Sequence, residues 1–336
     1  MVEVRVIIPT YNREFVIRDA LDSVRAQTFG DIEIVVADDG SEDDTVETVN
    51  VYARSDSRIR LLQLAHVGAA GARNAAIEFA GMHRYVAFLD SDDLWMPGHL
   101  ARAIRVLEKF PEASVYFSAV QVDDIGGIWT AERLEHYRKT MLKPALISTS
   151  LLENDLHWLD AMTIRGAFLR GEFYPQVPSV VVRASAIERQ PWFRTDLRVL
   201  EDCEFFLAAA ANGRNFVFDE QVHVRVRRHG DNLSGTADLF SERAAKSLVS
   251  GVRFQESKLA LCKSSDEVSY VKGEVARAAY LLGQNRSECL DMRGARAAYR
   301  VALRHKMGYK AIKGLLAATL PPRAFSQVRA AIRRRK

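Results

Sequence analysis

Four strand-like runs in the first ninety residues constrain this chain most, because each stops at polar or glycine-rich residues. Val4–Ile8 precedes Pro9-Thr10-Tyr11-Asn12, and Ile32–Ala37 precedes Asp38-Asp39-Gly40-Ser41. Arg58–Leu64 precedes Ala65-His66-Val67-Gly68, and Val86–Leu89 precedes Asp90-Ser91-Asp92-Asp93. Short β-branched runs bounded by such residues read as strands, buried on both faces where they are wholly apolar. The intervening segments have helical spacing. Glu14–Gln27 places Val16, Ala20, Leu21 and Val24 on one face, and Gly68–Ala80 is rich in small residues. Ser41 with Asp44 three positions on resembles a capping box. Pro97 opens a helix to Lys109, a position proline suits, and Ser114–Val122 is a fifth strand. Strands alternating with helices predict βαβ units, a parallel sheet and right-handed crossovers. The carboxyl ends of such strands share one edge, where ligands bind. The four polar endings are therefore expected to build one site.

The fourth ending is the most demanding. Three carboxylates within Asp90–Asp93 repel one another unless a cation sits among them. A hard divalent ion with oxygen ligands, Mg2+ or Mn2+, relieves that repulsion. The bland alternative is a solvated loop whose Asp caps a helix.

Beyond Val122 the pattern is harder to read. Residues 123–177 are expected to be an irregular insertion over the site, with a helix near Ser148–Asn154. Pro178–Arg183 returns to strand character. Glu201 and Asp202 stand at the start of an apolar helix, and Phe216–Phe218 with Val222–Val226 reads as a closing hairpin. From Ala237 the chain reads as helices: 239–261, 266–282, 294–305, 309–319 and 324–335. The expected division is 1–235 for an α/β domain and 236–336 for a helical region ending in a basic amphipathic tail.

No apolar stretch approaches the roughly 20 residues of a membrane-spanning helix. A strand beginning at Val4 leaves no room for a signal peptide. Cys203, Cys262 and Cys289 match neither a zinc site nor a disulfide framework, so a reducing cytoplasm is expected. Charge is uneven. Residues 293–336 hold 13 Lys and Arg and no Asp or Glu, while the other 292 residues hold 34 basic and 43 acidic groups. An acidic body thus carries a basic tail.

Taken in order, Val6-Ile7-Ile8-Pro9-Thr10-Tyr11-Asn12, Asp38-Asp39-Gly40-Ser41, Gly71-Ala72-Arg73-Asn74, Asp90-Ser91-Asp92-Asp93 and Glu201-Asp202 resemble the inverting glycosyltransferases of family 2. The resemblance covers about residues 1–235 and leaves the helical tail outside. It implies the GT-A fold, Rossmann-like with a mostly parallel mixed sheet, a nucleotide-diphosphate-sugar donor and a divalent metal. By that resemblance Pro9, Thr10, Tyr11 and Asn12 wall the nucleoside, and Glu14 lies near the ribose. Asp39 accepts from a base N–H, which favours uracil, and Arg73 reaches toward the nucleotide. Asp90, beside Ser91, binds the ribose, Asp92 ligates the metal and Asp93 supports the turn. Asp202 is the expected general base, and His229 the expected second metal and diphosphate ligand. Several of these residues have plainer readings too. Tyr11 suits core packing, Asp39 suits a turn before glycine, Arg73 suits a helix surface, and Trp95 suits either a sugar or the core.

The implied activity is inverting, metal-dependent transfer of a hexosyl group, from a UDP-sugar in preference, to a glycan or lipid-linked acceptor in surface polysaccharide biosynthesis. A nucleotidyltransferase would want a Gly-rich phosphate loop with a Lys or Arg soon after the first strand, which Pro9–Asn12 does not supply. A non-catalytic donor-binding relative would not need Asp39, Asp92 and Asp202 together. Nucleic-acid binding conflicts with the acidic body. Tyr309, Ile312, Leu315, Leu316 and Leu320 share a helical face near Lys310 and Lys313. That tail, 309–336, suits either peripheral contact with the inner face of the cell membrane or packing on the body.

Overall fold

The structure, a computed structural model, describes residues 2–79, 81, 83–124, 150–153, 155–187, 191–228, 241–305, 307–321 and 324–325. It divides into two compact units, Met1–Thr195 with Glu201–Asn232, and Asp196–Leu200 with Leu233–Lys336.

The first unit is built on β1 (Val2–Thr10), β2 (Ile32–Asp38), β3 (Ile59–Gln63) and β4 (His83–Phe88). These strands lie in the order β3-β2-β1-β4, all parallel. Thr10 pairs in register with Asp38, and Asp38 with Gln63, so the predicted polar endings do share an edge. Between the strands run α1 (Ile17–Arg25), α2 (Thr45–Ser55) and α3 (Gly68–Glu78). Ile17, Ala20, Leu21 and Val24 turn inward from α1 onto Val4, Val6, Ile34 and other sheet residues, as the helical period requires. Beyond β4 come β5 (Leu94–Trp95), α4 (His99–Lys109) and β6 (Ala113–Asp124).

The sheet continues β4-β9-β6-β10-β8-β7, with β9 at Val180–Arg183 and β10 at Asn215–Arg228. β9 is antiparallel to both β4 and β6, whereas β10 is parallel to β6, so the sheet is mixed. Two expectations are corrected here. The helix expected near Ser148–Asn154 is replaced, over its described residues, by a strand: Ser150–Glu153 is β7, paired antiparallel with β8 (Leu156–Leu159), and Asp155 just before β8 has φ 63°. The helix comes later, as α5 (Ala161–Arg170), capped by Asp160. Nor do Phe216–Phe218 and Val222–Val226 form a hairpin. They are one strand with register shifts at Asp219/Val222 and Val222/Val224. The polar Asp219-Glu220-Gln221 stretch looks like a turn but is a bulge, drawn in because the buried Asp219 carboxylate accepts from Arg102 at 2.7 Å and Tyr116 at 3.1 Å. Finally, α6 (Glu201–Ala211) brings in the second acidic pair.

The second unit contains α7 (Glu242–Lys258), α8 (Ser265–Glu288), α9 (Met292–Arg304) and α10 (Tyr309–Ala317). Ser241, Ser264 and Asp291 cap the first three. Tyr299 of α9 wedges between Gly283 of α8 and Gly314 of α10, and a Cβ at either glycine would come within 2.6 Å of its ring. A predicted helix over 324–335 falls mostly outside the described residues.

Candidate active site

The ends of β1 and β2 are laced together first. Asn12, in the left-handed region at φ 51°, receives a hydrogen bond from Glu42 N at its Oδ1, and its own N–H goes to Ser41 Oγ. Asp38 accepts from Gly40 N, Ser41 N and the Ser41 hydroxyl. Gly40 is required there, because its φ of 82° would strain any side chain. Ser41 is thus absorbed into this turn, and α2 starts four residues later behind Asp43 and Asp44. Glu14 accepts from Asp44 N at 3.0 Å, which places its carboxylate at the start of α2.

Asp39 lies across the next crossover. Its carboxylate accepts from Val67 N and Gly68 N at 2.5 and 2.9 Å, which places it at the N-terminus of α3, where a helix favours negative charge. Its backbone N–H meets Thr10 O at 2.8 Å. Tyr11 is 39 % exposed and meets the His66 ring edge-on at 4.8 Å, so it is not a core aromatic. Pro9 is buried in β1, whereas Thr10 brings a buried hydroxyl to the edge with no hydrogen-bond partner among the described residues.

Helix α3 is held at its other end by the buried Arg5, which pairs with Glu33 at 2.7 Å and reaches the carbonyls of Ile77 and Phe79. On the helix so fixed stands Arg73. It is no surface residue: it is 5 % exposed, and its two terminal nitrogens meet Glu201 Oε1 at 2.7 Å and Asp90 Oδ1 at 2.8 Å. Its Nε is buried without a partner among the described residues. Burial opposes the Arg73 charge, but Asp90 and Glu201 restore it and hold its pKa above the usual value. The next residue, Asn74, was not singled out from sequence. Its amide donates to Phe193 O at 2.7 Å and accepts Phe193 N at 2.9 Å, which fixes the Phe193 ring 5.5 Å from the Arg73 guanidinium.

Arg73 therefore joins two acidic elements 111 residues apart in sequence, Asp90 and Glu201. Burial, then the charge of Asp202, raises Glu201 to about 7 against the pull of Arg73. Burial also raises Asp202, with Arg73 pulling it back. Leu200, just before the pair, sits at φ 68°, a strained conformation for a leucine. Strain of this kind clusters at functional sites.

In the Asp90–Asp93 turn, Ser91 and Asp93 are buried, and Asp90 and Asp92 keep partial exposure. Asp93 accepts the N–H of Arg227 at 2.8 Å. Burial, then the charges of Asp92 and Asp90, pushes Asp93 well above the usual carboxylate range. Arg227, which opens the Arg227–Ser234 stretch that by resemblance closes over the pyrophosphate, bonds the carbonyl of Asp92 and pairs with Asp19 of α1 at 2.6 Å. Trp95 is core: it is 4 % exposed, and its Nε1 donates to Pro178 O at 2.6 Å. His229 lies outside the described residues.

The donor set suits a hard cation. The turn offers carboxylate oxygens that repel one another. Among the described residues no three His, Cys, Asp or Glu side chains are grouped to enclose an ion.

Comparison with known proteins agrees with this geometry. The profile of the Glycosyl transferase family 2 domain matches residues 5–168. The chain is 38 % identical over 141 residues to the UDP-Glc:alpha-D-GlcNAc-diphosphoundecaprenol beta-1,3-glucosyltransferase WfgD of Escherichia coli, which covers 41 % of this chain and 54 % of WfgD. The chain thus spans about half the length of that relative. Among solved structures it resembles Staphylococcus aureus TarS 1-349 in complex with UDP-GlcNAc, with TM-score 0.55 and 17 % identity over 97 % of this chain and 92 % of the other. It also resembles the mannosyltransferase PcManGT of Pyrobaculum calidifontis in complex with GDP-Man and Mn2+, with TM-score 0.54 and 19 % identity over 98 % and 80 %. These two likenesses concern the fold. With the strand order, the acidic turn and the family profile in agreement, the chain carries a glycosyl transferase family 2 domain on a mixed sheet of the GT-A type.

Proposed function

We propose that this chain is an inverting, metal-dependent glycosyltransferase that moves a hexosyl group from a nucleotide-diphosphate donor, preferentially a UDP-sugar, to a hydroxyl of a glycan or lipid-linked acceptor in surface polysaccharide biosynthesis. One observation carries the reading: Arg73 spans from Asp90 to Glu201, so a donor-side turn and an acceptor-side acid pair stand within one guanidinium of each other. The names of the relatives support the chemistry. WfgD is named for a UDP-Glc donor and a diphosphoundecaprenol-linked acceptor, and TarS binds UDP-GlcNAc. On this reading residues 1–235 are the transferase domain, and the chain works at the cytoplasmic face of a membrane.

Each side chain then has a role. Pro9, Thr10, Tyr11 and Asn12 wall the nucleoside, with Glu14 toward the ribose and Asp39 at the base. Thr10 Oγ1 and Arg73 Nε, buried without partners among the described residues, are polar atoms a donor would satisfy. Asp90 and Ser91 hold the ribose side. Asp92, with His229, would hold Mn2+ or Mg2+, which when bound neutralises charge on the leaving diphosphate. Asp202 takes the proton of the acceptor hydroxyl as its oxygen bonds the anomeric carbon. The bond to the diphosphate breaks with its electron pair leaving on that group. A single displacement inverts the anomeric centre, and its transition state is oxocarbenium-like, as in glycoside hydrolysis. Raising Asp202 brings its basicity closer to that of a general base working near neutrality.

The test is a panel of nucleotide sugars screened for metal-dependent thermal stabilisation, followed by transfer assays. A UDP-sugar is expected to raise the Tm only with Mn2+ or Mg2+. Stabilisation by no nucleotide sugar overturns the donor assignment. Stabilisation with no turnover on any acceptor favours a non-catalytic donor-binding protein.

A further inference from the structure

We propose that the outward face of α10 is a docking surface for an anionic lipid bilayer. A helix packed on a protein body normally turns its large apolar residues inward; α10 does so with Leu315, which packs on the Tyr299 cluster, but turns three others outward. Ala311 and Ala318, just past the helix end, are fully buried, and Gly314 lies against Tyr299. Tyr309, Ile312 and Leu316 are 76 %, 47 % and 63 % exposed. They stand at i, i+3 and i+7, one stripe along the helix. The small inner residues are explained by the close seat on Tyr299, but nothing in that packing calls for three large apolar side chains outside.

Charge selects the occupant. Lys310 and Lys313 are exposed in the same helix, within the stretch 293–336 that holds 13 basic and no acidic residues. An apolar stripe among long cationic side chains is what a helix lying in the headgroup layer needs. The apolar residues enter the acyl boundary, and the lysine stems lie along it with their charges at the phosphates. A second copy of this chain on the same face would set like charges opposite one another. A nucleic acid would use the charge but not the stripe. Among the described residues no helix is long and apolar enough to cross a membrane, so the contact is peripheral. The inference stands apart from the transfer reading, because it concerns adsorption alone.

The experiment is co-sedimentation of the full chain with vesicles of phosphatidylcholine, with and without phosphatidylglycerol. Binding is expected only to the anionic vesicles, and it weakens as salt is raised. Ile312→Ser with Leu316→Ser should lower the affinity at least about tenfold by removing apolar area from the acyl boundary. Circular dichroism and Tm should stay unchanged, since both side chains are exposed. Lys310→Gln and Lys313→Gln should each cost about fivefold. The proposal is overturned if the native chain does not pellet with anionic vesicles, or if the double serine variant pellets like it. It is also overturned if that variant turns a dimer into a monomer with vesicle binding unchanged, since a second copy then covers the face. No donor or acceptor is present, so a negative result leaves the transfer reading standing.

Discussion

The acidic turns that close β2 and β4 look alike in sequence and hold their carboxylates in opposite ways. At the end of β2, Asp38 and Asp39 accept five hydrogen bonds from nearby N–H and hydroxyl groups, at Gly40, Ser41, Val67 and Gly68. At the end of β4, one backbone N–H reaches Asp93 and one guanidinium reaches Asp90, while mutual repulsion and burial push Asp93 upward. The first turn uses Asp38 to build the loop and ties Asp39 to the start of α3 with one bond to each oxygen. Burial instead raises Asp93 in the second turn and both acids of the Glu201–Asp202 pair. Carboxylates that collect several bonds hold the loop, and carboxylates raised by burial and by one another suit a cation or a proton.

The contrast can be broken by substitution. The largest effect is expected at Asp202→Asn, which should cut transfer about 10²–10⁴-fold while metal-dependent donor binding, read by thermal shift, stays intact. Retained turnover would remove Asp202 as the base. Asp92→Ala should abolish the metal dependence of UDP binding with little change in Tm. Equal UDP affinity with and without Mn2+ in the native chain would place the ion elsewhere. Asp38→Ala should do the opposite. It removes several bonds to one carboxylate, and a stability loss of about 3 kcal/mol is expected, seen as a lower urea midpoint whether or not metal is present. A D38A chain that unfolds like the native one but loses donor affinity would make Asp38 a binding residue rather than a loop-holding one.

The smallest effect is one of pH. Glu201 is raised from its ordinary 4.5 to about 7 in the folded chain. Between those values the native state binds more protons than the unfolded one, so this group lowers stability as pH rises and does so fully above about 7. Glu201→Gln should flatten that part of the stability curve. Urea midpoints of both chains across the window test it, and an unchanged slope would mean that Arg73 keeps Glu201 ionised throughout.

Much of this site was legible in one dimension because a parallel βαβ sheet repeats a simple rule. Strand periodicity located β1 to β4, and the rule of carboxyl ends placed Thr10, Asp39 and Asp90 on one edge before any coordinate was known. The misreadings share a cause. Asp219-Glu220-Gln221 is as polar as a turn, yet Arg102 and Tyr116 pull Asp219 into the core and keep the strand running. Ser150–Leu159 was too short and too mixed in period to reveal a hairpin. Trp95 had two readings, and the Pro178 carbonyl that accepts its buried indole N–H decides for the core. The contacts of Asn74 and Arg227 could not be read in one dimension because their partners, Phe193 for the first and the Asp93 carboxylate and Asp92 carbonyl for the second, lie more than a hundred residues away.

By itself the sequence determined the alternation of strand and helix, the edge on which the polar endings meet, and the presence of an unbalanced acidic turn. These follow from local periodicity and from the handedness of the chain, which act within a few tens of residues. Only the tertiary structure decided which acids hold the loops, that Arg73 is a buried bridge rather than a surface cation, and that α10 turns Tyr309, Ile312 and Leu316 outward. The reason is physical: a carboxylate's charge and a helix's buried face depend on neighbours brought in by distant parts of the chain, and burial magnifies each such contact beyond anything the residue's own type foretells.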